Sequence, residues 1–171
     1  MVDKDDRPTF SRYRNETDGF GLEVDMVSKL IADYEFSAHQ DDREKLEILR
    51  KIENILKNHP ANCSKAPKFI STMLTEHNTQ VRKLAYKCAF HILAANRTNN
   101  KLLVDAYRLA MLNSSPQVAQ FAINNLSDFV LACPEEAENL LKFSSAAMKR
   151  LVCPDTESEA QIAKALSSTM Q

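Results

Sequence analysis

The chain has 171 residues, 44% of them apolar and only two of them glycine, and its formal net charge is −1 at pH 7. That length suits one ordinary domain with a sizeable core, and so few glycines exclude nucleotide binding by a P-loop or Rossmann fingerprint, whose phosphate cradles need them. The near-zero charge excludes a strongly basic nucleic-acid binder on total charge and leaves room only for a local patch.

Residues 1–21 are polar, mix both charges and hold both glycines, Gly19 and Gly21. A flexible tail is expected there, followed by a helical-repeat domain over 22–171. The first residues lack an apolar signal core, and no apolar run approaches the ~18 residues that cross a bilayer. The four cysteines, Cys63, Cys88, Cys133 and Cys153, form neither CxxC pairs nor a dense disulfide framework. A reducing compartment, cytosol or nucleus, is therefore expected, with no membrane association.

Apolar periodicity predicts eight helices in four pairs: about 22–36 with 42–58, 65–75 with 79–95, 100–113 with 116–132, and 135–152 with 156–170. Asp41 is placed to cap the second helix, and Ser115 followed by Pro116 reads as a cap with proline at the first helical position. Pro134 and Pro154 open the last two helices in the same way. Acidic residues follow each of them, Glu135, Glu136 and Glu138, then Asp155, Glu157 and Glu159, where a helix N-terminus favours negative charge.

The second helices of the pairs begin near 42, 79, 116 and 156, and Val118 lies 37 residues beyond Val81. Such a period with two helical patterns per unit marks a stack of helix pairs. Val81, Leu84, Ala85, Cys88 and Ile92 form one apolar stripe, and Val118, Phe121, Ala122, Asn125 and Phe129 take the same places one unit later. Val81, Leu84, Val118 and Phe121 are expected in the core, so Leu84→Ala should cost roughly 2–5 kcal/mol.

Val81-Arg82 followed by Ala85, after a short polar turn, resembles the HEAT-repeat pattern, although Ala119 stands where that pattern would place a second arginine. The resemblance implies an all-α, right-handed α-solenoid of about four HEAT/ARM-like antiparallel helix pairs. A narrower resemblance lies in 115–171. Ser115-Pro116-Gln117-Val118, Asn125-Leu126, Phe129 to Cys133, Ala137 to Leu141, Asp155, Ala160-Gln161-Ile162 and Ala165-Leu166 are similar to the carboxy-terminal end of Integrator complex subunit 1. This family is a large helical-repeat scaffold of a nuclear complex that acts with RNA polymerase II in small nuclear RNA 3′-end processing and early termination. The resemblance implies a nuclear, non-catalytic interaction module whose partners are other protein subunits, with Met1 inside a longer chain.

Candidate contact residues follow from charge and apolar patterning. Residues 60–113 carry +6, against −3 for 22–59 and −3 for 114–171. Within the basic stretch, Arg82, Lys83 and Lys87 could hold an acidic or phosphorylated peptide, or could form a solvated face. RNA is disfavoured because base-stacking aromatics are not interleaved with the basic residues. Asn124 and Asn125 could hold the backbone of an extended peptide or satisfy a local carbonyl. Leu151, Ile162 and Leu166 offer apolar surface at the end of the stack for a neighbouring subunit.

Nothing points to catalysis. His39, His59, His77 and His91 are isolated from one another, so no metal site is expected and no cofactor is implied. The adjacent carboxylates Asp41-Asp42 and Glu135-Glu136 sit at helix starts, where capping accounts for them. Cys88 reads as a small buried group, while Cys133 and Cys153, each before a proline at a turn, would be reactive only if exposed. The rival reading is a free-standing superhelical reader of acidic or phosphorylated peptides such as a polymerase tail, with an RNA-binding repeat domain behind it.

Overall fold

A computed structural model describes residues 26–37, 40–58, 65–95, 101–151 and 156–169. The expected tail, Pro154, Cys63 and Cys153 lie outside these residues. The described chain is all-helical: α1 (Met26–Glu35), α2 (Asp42–Asn58), α3 (Ala66–Met73), α4 (Thr79–Ala95), α5 (Lys101–Met111), α6 (Pro116–Asn124), α7 (Leu126–Ala132), a 3-10 turn (Pro134–Glu136), α8 (Ala137–Arg150) and α9 (Thr156–Thr169). Among the described residues no helix is long and apolar enough to cross a membrane.

Two rows of helices make the body. In one, α1 touches α3, α3 touches α5 and α5 touches α8; in the other, α2 packs along α4, α4 meets α7, and α9 covers α6 and α7. The rows face each other through α1 on α2, α3 on α4, α5 on α6 and α8 on α9. The core lies between them, with Leu49, Ile70, Leu93, Leu103, Ile123, Phe129 and Leu140 fully enclosed.

Local chemistry explains where the helices begin. Asp41 Oδ1 accepts from the Glu44 amide at 2.9 Å, the cap expected from the sequence. Asn78 does the same for α4, its Oδ1 accepting from the Gln80 and Val81 amides at 2.9 and 3.3 Å. At α6 Pro116 holds the expected place, but the Ser115 hydroxyl does not cap the helix. It donates instead to Gln117 Oε1 at 3.0 Å, while Asn113 Oδ1 accepts from the Ser115 amide at 2.9 Å. Pro134 opens the 3-10 turn, with α8 following at Ala137.

The expected helix over 116–132 is broken at Asn125, where φ is −103° and ψ is 11°. Its side-chain Nδ2 donates to the Phe121 carbonyl at 2.8 Å, and its backbone amide bonds to the Ala122 carbonyl at 3.1 Å. Asparagine competes with helical hydrogen bonding in this way, and here it divides the segment into α6 and α7.

Beyond the break an aromatic cluster fills the space between the rows. Phe129 lies flat on Tyr107, ring centroids 3.6 Å apart and planes 3° from parallel. Tyr86 meets both edge-on, at 6.2 Å from Tyr107 and 5.9 Å from Phe129. The Tyr107 hydroxyl donates to the Ala122 carbonyl at 2.8 Å, whereas the buried Tyr86 hydroxyl has no hydrogen-bond partner.

The helix at the centre is α4, which contacts α2, α3 and α7. Val81, Ala85, Tyr86, Cys88, Ala89, Ile92 and Leu93 are all buried, so it is covered over most of its circumference rather than along a single stripe. Val81 and Val118 lie in the core as expected. Leu84 and Phe121 do not: both are half-buried at its margin, because the burial of α4 and α6 is centred on neighbouring positions. Leu84→Ala is accordingly expected to cost about 1–2 kcal/mol, less than the 2–5 of a fully enclosed leucine such as Leu49. Equal shifts in urea midpoint for Leu84→Ala and Leu49→Ala would contradict this placement.

Candidate functional site

Of the three basic residues grouped by the sequence, Lys83 and Lys87 are exposed on α4 and Arg82 is buried. Its Nη1 donates to the carbonyls of Glu76 at 2.6 Å and His77 at 2.8 Å, its Nη2 to Thr79 Oγ1 at 3.3 Å, and its guanidinium carbon lies 5.3 Å from the Phe121 ring centre. Burial lowers the Arg82 pKa, with the nearby Tyr86 hydroxyl acting in the opposite direction. Arg82 thus fastens the turn between α3 and α4, and its charge is not presented with the two lysines.

Several carboxylates of this half already have cations. Glu76 pairs with Lys45 at 2.8 Å, Glu47 with Lys51 at 2.8 Å and Glu53 with Lys57 at 3.2 Å. Among the described residues Lys83 and Lys87 are in no ion pair, and neither are the exposed Arg43 and Arg50 of α2.

Arg43 and Arg50 were missed by counting charge along the chain, because they sit in a stretch whose net charge is −3. The repeat itself could have found them. Lys87 stands 37 residues beyond Arg50, and Asn124 another 37 beyond Lys87; Arg43, Gln80 and Gln117 are related in the same way. In the structure α2 packs along α4, and two hydrogen bonds join them: the Cys88 thiol donates to the Leu49 carbonyl at 3.7 Å, and Asn78 Nδ2, just before α4, donates to Asp42 Oδ2 at 2.9 Å. Asn124 is half-buried on α6, while the Asn125 amide is used in the break described above.

The apolar candidates differ in exposure. Leu151 and Ile162 are half-buried against the core, and Leu166 alone of the three is exposed, at 47%. Leu166 lines an open groove of about 590 Å³ between α8 and α9, with Leu141, Ser145, Ala146 and Lys149. Glu138 and Lys142 also line it and pair with each other at 2.6 Å, a contact that holds the Glu138 carboxyl below its usual range.

Both described cysteines are buried. Burial pushes the Cys88 thiol up to about 12, and Cys133 is fully buried rather than exposed at its turn. Among the described residues no three His, Cys, Asp or Glu side chains are grouped to hold a metal ion.

A family model described as Integrator complex subunit 1, R4 domain, matches residues 34–134. The match runs from the end of α1 to the turn after α7, so the segment on which the narrower resemblance rested falls inside it only over 115–134. No curated protein and no solved structure matches the chain.

Proposed function

The chain belongs to the family of the Integrator complex subunit 1 R4 domain, and from that premise we propose that it is a non-catalytic protein–protein interaction module of the nuclear Integrator complex. The family match over the repeat-bearing residues 34–134 carries this reading. The two rows of helices support it, since stacked helix pairs present long continuous faces suited to holding partner chains. On the same reading the rows form a right-handed HEAT-like solenoid, the module has no enzymatic turnover of its own, and its contacts contribute to small nuclear RNA 3′-end processing and transcription termination.

Deleting the segment equivalent to residues 34–169 from the cellular protein tests the proposal. At least one Integrator subunit should then be lost from the affinity-purified complex, and unprocessed small nuclear RNA should accumulate several-fold, as expected when a large specific interface is removed. Full assembly with normal processing would overturn the docking role.

A further inference from the structure

We propose that the exposed face shared by α2 and α4 binds an extended acidic segment of a partner protein, with Arg50 and Lys87 as successive anchors and Arg43 and Lys83 beside them. The inference rests on the docking role above and names the chemistry of what docks.

Register is the first support. Arg50 and Lys87 occupy equivalent, exposed positions 37 residues apart on helices that pack along each other, and the Cys88–Leu49 and Asn78–Asp42 hydrogen bonds join those helices. Packed helices lie about 8–10 Å apart, and an extended peptide advances about 3.3 Å per residue. A chain crossing α2 and α4 therefore meets a new anchor every two or three residues. Carboxylates at that spacing would each find a cation.

Charge is the second. All four cations are exposed and outside the ion pairs of the described residues; of the acids on α2, Asp42, Glu47 and Glu53 pair with Lys45, Lys51 and Lys57, and Glu44 accepts from the Ser37 hydroxyl at 2.8 Å. Arg43 does add to the field that lowers the Glu47 pKa, yet the Lys51 hydrogen bond is the larger cause, so Arg43 is not committed there. Arginine and lysine bind carboxylates through charge-assisted hydrogen bonds.

The face suits a peptide better than a nucleic acid. Gln80, exposed at the position equivalent to Arg43, offers an amide that can both donate to and accept from a peptide backbone. The aromatic rings beside Lys83 and Lys87, Phe90 and Phe121, are turned against Tyr86 at 6.4 and 5.0 Å and are half-buried, so neither presents a free face for a base to stack on.

The test uses the whole 171-residue chain and a fluorescein-labelled peptide of about twelve residues with glutamate at every third position. Anisotropy at about 0.15 M salt should show binding that weakens about tenfold or more when Arg50→Glu and Lys87→Glu are combined, and likewise when the peptide's glutamates are replaced by glutamine. The pair Lys68→Glu with Lys101→Glu, on the exposed sides of α3 and α5, should leave binding unchanged. Circular dichroism melting checks that both double variants stay folded. Three results would overturn the proposal: no binding to the acidic peptide, equal weakening by both double variants, or displacement of the peptide by oligouridylate at lower concentration than by unlabelled peptide. In cells, the Arg50→Glu, Lys87→Glu protein should lose the same partner as the deletion. Retention by the double variant with loss on deletion would reject this face and leave the docking role standing; retention in both would reject the docking role.

Discussion

Replacing Phe129 by alanine is expected to lower the stability of the chain by about 3–5 kcal/mol, the range for a large aromatic removed from an enclosed site. Phe129 has no exposed surface, and its ring lies face to face with Tyr107 while Tyr86 and Phe90 meet it at an angle, with Phe90 at 5.0 Å. Such aromatic pairs add about 0.5–1.5 kcal/mol each to the burial itself. The cavity cannot close easily, because α7 is held between α4 and α9. In a domain of this size the thermal midpoint should fall by about 6–20 °C, and Phe129→Leu, which keeps most of the volume, should lose less than half as much. A Phe129→Ala midpoint within about 2 °C of the parent would show that the cluster is loosely packed.

Arg82→Ala should cost about 3 kcal/mol, an effect large for a residue that the sequence presents as one of three surface cations. The guanidinium joins two carbonyls of the turn after α3 to the start of α4 and lies over Phe121, so its removal strips charge-assisted hydrogen bonds and packing together. The loss is tempered because the buried Arg82 Nε has no hydrogen-bond partner and burial already disfavours the charge. Arg82→Lys should recover less than half of the loss, since an ammonium cannot reproduce the planar fork. Lys83→Ala, one residue away and exposed, should stay within about 0.5 kcal/mol. Urea unfolding of the three variants decides the matter: equal midpoints for Arg82→Ala and Lys83→Ala would mean that Arg82 is a surface residue after all.

Arg82 also marks the boundary of what the sequence reveals. Helix positions, the 37-residue register, the Asp41 cap and the burial of Val81 and Val118 are local or periodic properties, and they can be read from residue order. The family was legible too, although its match is centred on the repeats rather than on the last third of the chain. What could not be read depends on how many neighbours a helix has. A stripe analysis assumes one buried face, but α4 has cover on several sides, so Arg82 and Tyr86 lie within it while Leu84 moves to the margin. Asn125 occupies a helical position in the pattern, and only the path of its side chain to the Phe121 carbonyl shows that the helix stops there. For the candidate site, Lys83 and Lys87 were visible as a pair on one face. Arg43 and Arg50 were hidden because adjacency across a stack follows the repeat rather than the running sum of charge.

The enclosure of α4 has a further consequence for how the chain comes apart. Stacked repeats can fray from their ends, each unit held only by its neighbour. Here the central helix draws its cover from α2 and α3 on one side and α7 on the other, and the aromatic cluster ties its middle to α5 and α7. Neither half can detach without uncovering apolar surface on α4. Opening from the outer elements, α1 at one end and α8 with α9 at the other, is therefore expected to stay shallow, and amide protons along α4 should exchange with solvent last, when the whole stack opens.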